Sequence, residues 1–383
     1  MTKRILSMLV LLVAVATGAV AQSTYKVSVK EGTEDASSWT ITPAEATTTG
    51  VAAGTEVKAT YAGTKKVKSV KAVKKAPAAP AGKTVDLSTL NTDYVAQNGD
   101  VLTSTLGGNY KITIADGATV TLDGATINGE NSEEYKWAGI TCEGDAVIIL
   151  KDGTSNTVKG FYENYPGIYV PVGKTLTIQG TTGSLNASSN FYGAGIGAGY
   201  NGLHCGNIEI QGGIIAATGG NGAAGIGGNC VTRCGTIIIS GGEVTATGRS
   251  GGAGIGSGYG GASVCAGITI SGGTVHATSI GSGAYFGSGA GIGSGTYGKC
   301  GDITINGGTV EATGGIHGAG IGSGQYGKCG DITITSSVTS VTATKGVDCD
   351  NSIGAGIEGT CGTITIGGTV TGNITTSPYT YEP

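Results

Sequence analysis

The sequence predicts an all-β chain: a small β module, then a right-handed, single-stranded parallel β-helix of about eight coils plus a cap. Three observations carry this. A Gly-Ile step returns at Ile140, Ile168, Ile196, Ile226, Ile255, Ile292, Ile321 and Ile357, at intervals of 28, 28, 30, 29, 37, 29 and 36 residues. Each copy is followed by an I-x-I run and, in most copies, by V-x-A. And the 383 residues include 75 glycines, while only 13% are charged and 5% aromatic. No G-x-y triplet runs through the chain, so collagen is excluded. A thin stacked core filled by Ile, Val and Ala suits this composition better than one globular core.

Residues 1–21 have the form of a secretory signal, with Lys3 and Arg4, the apolar stretch Ile5 to Ala16, and Ala19-Val20-Ala21 before Gln22. The apolar stretch is short for a membrane span, and no later segment reads as transmembrane. The sequence therefore places the protein outside the cytoplasm: extracellular, at the cell surface or in the periplasm. Residues 22–75 alternate polar and apolar in short runs around Trp39 and read as a small β module. Residues 76–97 begin with Ala76-Pro77-Ala78-Ala79-Pro80, a stiff spacer, and lead into the β-helix at 98–383. Residues 22–83 carry ten Lys against five acids, whereas residues 84–383 carry ten basic and twenty-one acidic residues. An acidic body excludes nucleic acid as the partner.

One coil shows the grammar. Gly289 to Gly293 is a short strand, Ser294 to Gly301 a corner, and Asp302 to Asn306 a second strand. Gly307-Gly308 is a turn and Thr309 to Thr313 a third strand. Parallel crossovers are right-handed as a rule. Eight coils about 4.8 Å apart make a rod of roughly 40 Å. Parity turns both isoleucines of each I-x-I inward, as in Ile303/Ile305, and pairs a large with a small residue in the third strand, as in Val310/Ala312. Residues 84–128 read as the leading rung and cap.

Six cysteines, Cys205, Cys234, Cys265, Cys300, Cys329 and Cys361, hold one register, each three residues before an inward Ile. They fit a column of packed thiols, inter-coil disulfides or soft-metal ligands. Cys142, Cys230 and Cys349 stand outside the column. The glycine strings belong to no nucleotide loop, since no helix follows them.

The aromatic residues are few and placed in two sets. Trp137, Tyr165, Tyr192 and Tyr285 precede the Gly-Ile strand; Tyr200, Tyr259, Tyr297 and Tyr326 follow it. Two rows of rings flanking the first sheet would suit the apolar faces of sugars, or would stack on one another. Glu133, Glu134, Glu143 and Glu163 lie beside the first set, placed to accept sugar hydroxyls or to hold Ca2+; no other cofactor is called for. Sugar hydrolysis needs two facing carboxylates. The outward acids Glu209, Glu243, Asp302, Glu311 and Asp331 come one per coil, and His204, His276 and His317 share no register, so no catalytic set stands out.

The GAGIGSG…CG-x-I-T-I-x-GG-T-V-x-A-T-G coils resemble the repeat regions of secreted bacterial β-helix proteins of the carbohydrate-binding or adhesin type, over residues 98–383. The module at 22–75 resembles short β modules that precede larger domains in secreted Bacteroidetes-type proteins. The first resemblance implies a non-catalytic protein that binds polysaccharide or cell-surface glycan. A polysaccharide lyase or glycoside hydrolase, and a structural rod without glycan specificity, are the alternatives.

Overall fold

The computed structural model describes residues 82–281 and 287–383, together with the backbone of five short strands between residues 9 and 61. The chain divides into two compact units, 1–80 and 81–383. In the first, Glu56–Tyr61 pairs antiparallel with Leu9–Leu12 on one side and Trp39–Thr42 on the other. Thr24–Tyr25 pairs antiparallel with Val51–Ala52. Thus four residues of the stretch read as an export signal form a strand of this sheet. The remainder of that stretch, the remainder of the module and the spacer at 76–81 lie outside the described residues.

The second unit is a parallel β-solenoid. Its short sheet stacks ten strands, two leading ones (Tyr94–Ala96 and Ile112–Ile114) and eight that recur with the repeat, from Ile140–Cys142 to Ile353–Gly354. The second and third strands of each coil build the remaining wall. In places they fuse into one bent strand, as in Ala118–Asn128, Val264–Ile280 and Ile303–Thr313. Stacking begins at Thr84–Asp86, which pairs parallel with Val101–Thr105.

Side-chain parity holds throughout. Ile208, Ile237, Ile268 and Ile303 are successive partners, all buried. So are Ala217, Ala246, Ala277, Ala312 and Ala343. The cysteine column is in register from Cys234 through Cys265 and Cys300 to Cys329. All nine cysteines are free thiols, and the column is buried except for the half-buried Cys361. Hydrogen bonding with Cys205 and Cys265, together with burial, pushes the Cys234 thiol up, and burial alone pushes Cys142 up to about 12. These thiols fill a corner as small apolar groups.

Two expectations need correction. The eighth Gly-Ile step, Gly356-Ile357, is not the eighth rung; Ile353-Gly354 takes that place, opposite Ile321-Gly322. In six of the eight rungs the residue after the isoleucine is a glycine at positive φ, whereas Thr141 and Tyr169 follow Ile140 and Ile168. Gly197, Gly227, Gly256, Gly293, Gly322 and Gly354 hold φ between +128° and +136°, a region that excludes a side chain. Ile357 lies in the corner instead, where its N–H donates to His317 O and its carbonyl accepts from Tyr326 N–H. The repeats also do not run to the end of the chain. Thr369–Thr371 folds back antiparallel on Ile364–Ile366, and Tyr379–Tyr381 antiparallel on Ser340–Thr344. With the Ile353–Ile374 bridge, this tail covers the final edge of each wall.

Candidate functional site

The Gly-Ile strand is only two residues long, and its ends are tied together. Ala194 N–H donates to Ala198 O, and the same bond recurs at Ala224, Ala253, Ala290 and Ala319. The residues before and after the strand are thereby brought to one corner. The two aromatic sets meet there, and three groups of rings result.

The first group packs inward. Phe161 is fully buried, with Trp137 5.6 Å and Tyr135 6.4 Å from it between ring centroids. Trp137 is half-buried against the core, and its Nε1 is buried without a partner. The second group is a ridge. Phe191 stands nearly perpendicular to Tyr192 at 4.6 Å, and Tyr192 stacks on Tyr200 at 4.8 Å. The third is a row along later coils. Tyr259 meets Tyr297 edge-on at 6.0 Å, and Tyr297 lies parallel to Tyr326 at 4.8 Å and 7°. Tyr285 lies outside the described residues.

The last row occupies a strained position. Tyr297 and Tyr326 have φ of 58° and 54°, in the left-handed region that costs a side chain about 1–2 kcal/mol. Gly260 takes the corresponding place beside Tyr259, and Val231 and Glu358 take it in other coils at 50° and 51°. The ladder holds them there: Tyr297 N–H donates to Gln325 O, and Tyr326 N–H to Ile357 O.

A cleft opens on each side of the Phe191–Tyr192–Tyr200 ridge. On the Tyr200 side lies one of about 430 Å³, lined by Lys136, Tyr162, Asn164, Tyr165, Tyr200 and Leu203 among others. Here Tyr165 from the first set faces Tyr200 from the second. Lys136 Nζ sits 5.9 Å from the Tyr162 ring centre. The Asn164 side-chain oxygen is buried and accepts no hydrogen bond. An orphaned buried acceptor costs about 1–3 kcal/mol.

On the Phe191 side lies a cleft of about 380 Å³, lined by Asn186, Asn190, Phe191, Thr218, Asn221 and Arg249 among others. It sits over a β-bulge. Thr218 pairs with Thr247, but after one extra residue Asn221 pairs with Arg249. Bulges re-aim side chains in this way. Sequence reasoning missed this cleft, since Arg233 and Arg249 share no register. The signal available was the insertion itself, Thr218-Gly219-Gly220-Asn221 against Thr247-Gly248-Arg249 in the next coil.

Four aspartates serve as corner staples. Asp302 accepts from Asp331 N–H, and Asp331 in turn accepts from Thr363 N–H. Asp116 and Asp145 do the same for Asp145 N–H and Thr175 N–H. The Lys174 ammonium, with Asp145 N–H, holds the Asp116 carboxyl below its ordinary value. His276 pairs with Glu311 at 3.0 Å, His317 with Asp348 at 3.4 Å, and His204 Nδ1 accepts from Arg233 N–H. Glu133 accepts from the Tyr162 hydroxyl. Among the described residues, no three of His, Cys, Asp or Glu converge on a metal position.

A protein-family profile described as Beta helix repeat matches residues 176–200, 237–259, 268–296 and 303–325. Each matched segment starts on an inward residue of the second strand (Leu176, Ile237, Ile268 or Ile303), and the four belong to one column. No curated protein and no solved structure matches the chain. Among the described residues, no helix is long and apolar enough to cross a membrane. The second unit is thus a parallel β-helix, and four of its segments are similar to the Beta helix repeat family.

Proposed function

We propose that this protein is an exported, non-catalytic glycan-binding or adhesin protein that holds polysaccharide at the aromatic corner. The observation that carries this reading is the Tyr165–Tyr200 cleft, with its unpaired Asn164 acceptor and neighbouring Lys136. Rings offer sugar C–H faces an apolar surface, while the amide and ammonium meet hydroxyls. Tyr192 supports Tyr200 from behind. Asp302 and Asp331 are tied into corner bonds, and His276 and His317 pair with Glu311 and Asp348, which supports the non-catalytic reading. The Lys3-Arg4 start, the apolar stretch after it and Ala19-Val20-Ala21 support export to the cell surface or beyond.

The test is retention on polysaccharide arrays. Tyr165→Ala combined with Tyr200→Ala is expected to lose at least tenfold in retention while keeping the circular dichroism and melting temperature of the parent. Tyr200 is exposed and Tyr165 lines the cleft, so both substitutions spare the core. Trp137 packs on the core and is unsuitable for this purpose. Unchanged retention in the double variant sinks the site. Release of reducing or unsaturated ends from any bound polysaccharide would sink the non-catalytic reading.

A further inference from the structure

We propose that the cleft beneath Phe191 recognises a carboxylate-bearing sugar residue, with Arg249 as the partner of the carboxylate. This rests on the glycan-binding reading and adds a substrate class to it. Arg249 is exposed and, among the described residues, is the only charged one lining the cleft, with no acid beside it. Its guanidinium makes no hydrogen bond or ion pair among the described residues. The surrounding body carries twenty-one acids against ten basic residues between 84 and 383, so a cationic cleft without an acid departs from its setting. A guanidinium presents two parallel N–H groups that match a planar carboxylate.

The rest of the lining is neutral and suited to hydroxyls. The Asn221 side-chain oxygen accepts from the Ser250 hydroxyl, which leaves its NH2 as a donor. The Asn190 NH2 donates to Gly129 O and Gly160 O, which leaves its oxygen as an acceptor. Asn186 is exposed, on the outward face of its strand. Phe191 is 43% exposed, held nearly perpendicular to Tyr192, and supplies the apolar wall. The bulge at Gly219–Gly220 puts Asn221 and Arg249 side by side. One positive charge among neutral amides matches one carboxylate; a doubly charged phosphate would call for a second cation or a nest of N–H groups.

The test uses the full chain and isothermal titration with oligomers of galacturonic, glucuronic and mannuronic acid, and with the methyl ester of any oligomer that binds. The esters keep the sugar and remove the charge. At least one acid oligomer is expected to bind, and its ester to bind at least about tenfold more weakly. Arg249→Gln is expected to abolish that preference, and Arg249→Lys to restore part of it, since Lys keeps the charge without the fork. The melting temperature of each variant checks the fold. Equal affinity for acid and ester, or an undiminished preference in Arg249→Gln, overturns the proposal. If no acid oligomer binds while neutral polysaccharides are still retained through Tyr165 and Tyr200, this cleft is refuted and the general reading stands. If no glycan of any kind is retained, both fall.

Discussion

The corner carries tyrosines in two places, and they differ in what they leave for a ligand. Tyr297 and Tyr326 occupy the same left-handed position in consecutive coils, so their rings fall on one another, 4.8 Å apart and within 7° of parallel. Each covers a face of the other and presents an edge to solvent. Tyr192 and Tyr200 come from the two ends of one Gly-Ile loop and stack as a pair, with Tyr165 across a cleft on one side and Arg249 across a cleft on the other. The coil after Tyr200 has Val231 at the left-handed position, so the ladder of rings is interrupted there. The contrast teaches that strict repetition turns aromatic faces toward each other. Open clefts arise where repetition fails, by an insertion or by a change of residue type.

This contrast between a repeating frame and an irregular corner can be broken most severely at Gly293. A Cβ there would lie 1.8 Å from the carbonyl oxygen of Gly322 in the next coil, and φ is +135°. That oxygen is backbone held in a stack, so it cannot swing aside. Gly293→Ala is expected to cost at least about 3 kcal/mol in urea denaturation, through strain and a lost rung. A cost below about 1 kcal/mol would mean that the stack is far more pliable than its register indicates.

Acid gives a smaller and graded effect on the frame alone. Burial opposes ionisation of Asp100, but hydrogen bonds from the Tyr94 hydroxyl, Gln97 N–H and Lys83 N–H hold its carboxyl below the ordinary value. Backbone donors from Thr182 and Thr181 lower Asp152 in the same sense. A depressed carboxyl contributes stability that is fully present above its unfolded value near 3.9 and is lost as pH falls through its folded value. The melting temperature is therefore expected to stay level from pH 7 to about 5 and to fall below about 4. Asp100→Asn should flatten part of that fall. A parent melt as high at pH 2.5 as at pH 6 would show that the staples contribute nothing.

How much of this was legible in the sequence follows from what sets each feature. The inward Ile, Ala and Cys columns depend on spacing alone, so they were read correctly. The last rung was misplaced because Ser352-Ile353-Gly354 and Gly356-Ile357 both look like the repeat, and only the pairing with Ile321-Gly322 separates them. The two aromatic sets looked like separate rows because the Ala194–Ala198 bond that unites them leaves no mark in composition. Trp137 was grouped with ligand-facing rings, although it packs with Phe161 on the core. Arg249 was passed over because its neighbour across the bulge, Asn221, is 28 residues away and out of the simple register.

The gentlest way to sharpen the contrast is at Tyr326, where two effects of similar size oppose one another. Glycine there would relieve about 1 kcal/mol of left-handed strain and would forfeit about 0.5–1.5 kcal/mol of ring stacking on Tyr297. Tyr326→Gly is thus expected to fall within about 0.5 kcal/mol of the parent. Tyr326→Ala forfeits the same stacking but keeps a Cβ at φ near 54°, so it should lie about 1 kcal/mol below Tyr326→Gly. Denaturant midpoints of the three proteins measure both differences. Because these rings already cover one another, neither variant should change glycan retention, whereas Tyr200 and Tyr165 variants should. If Tyr326→Ala instead lost retention as strongly as the Tyr165/Tyr200 double variant, the stacked row would be part of the binding face, and the distinction between closed ladder and open ridge would collapse.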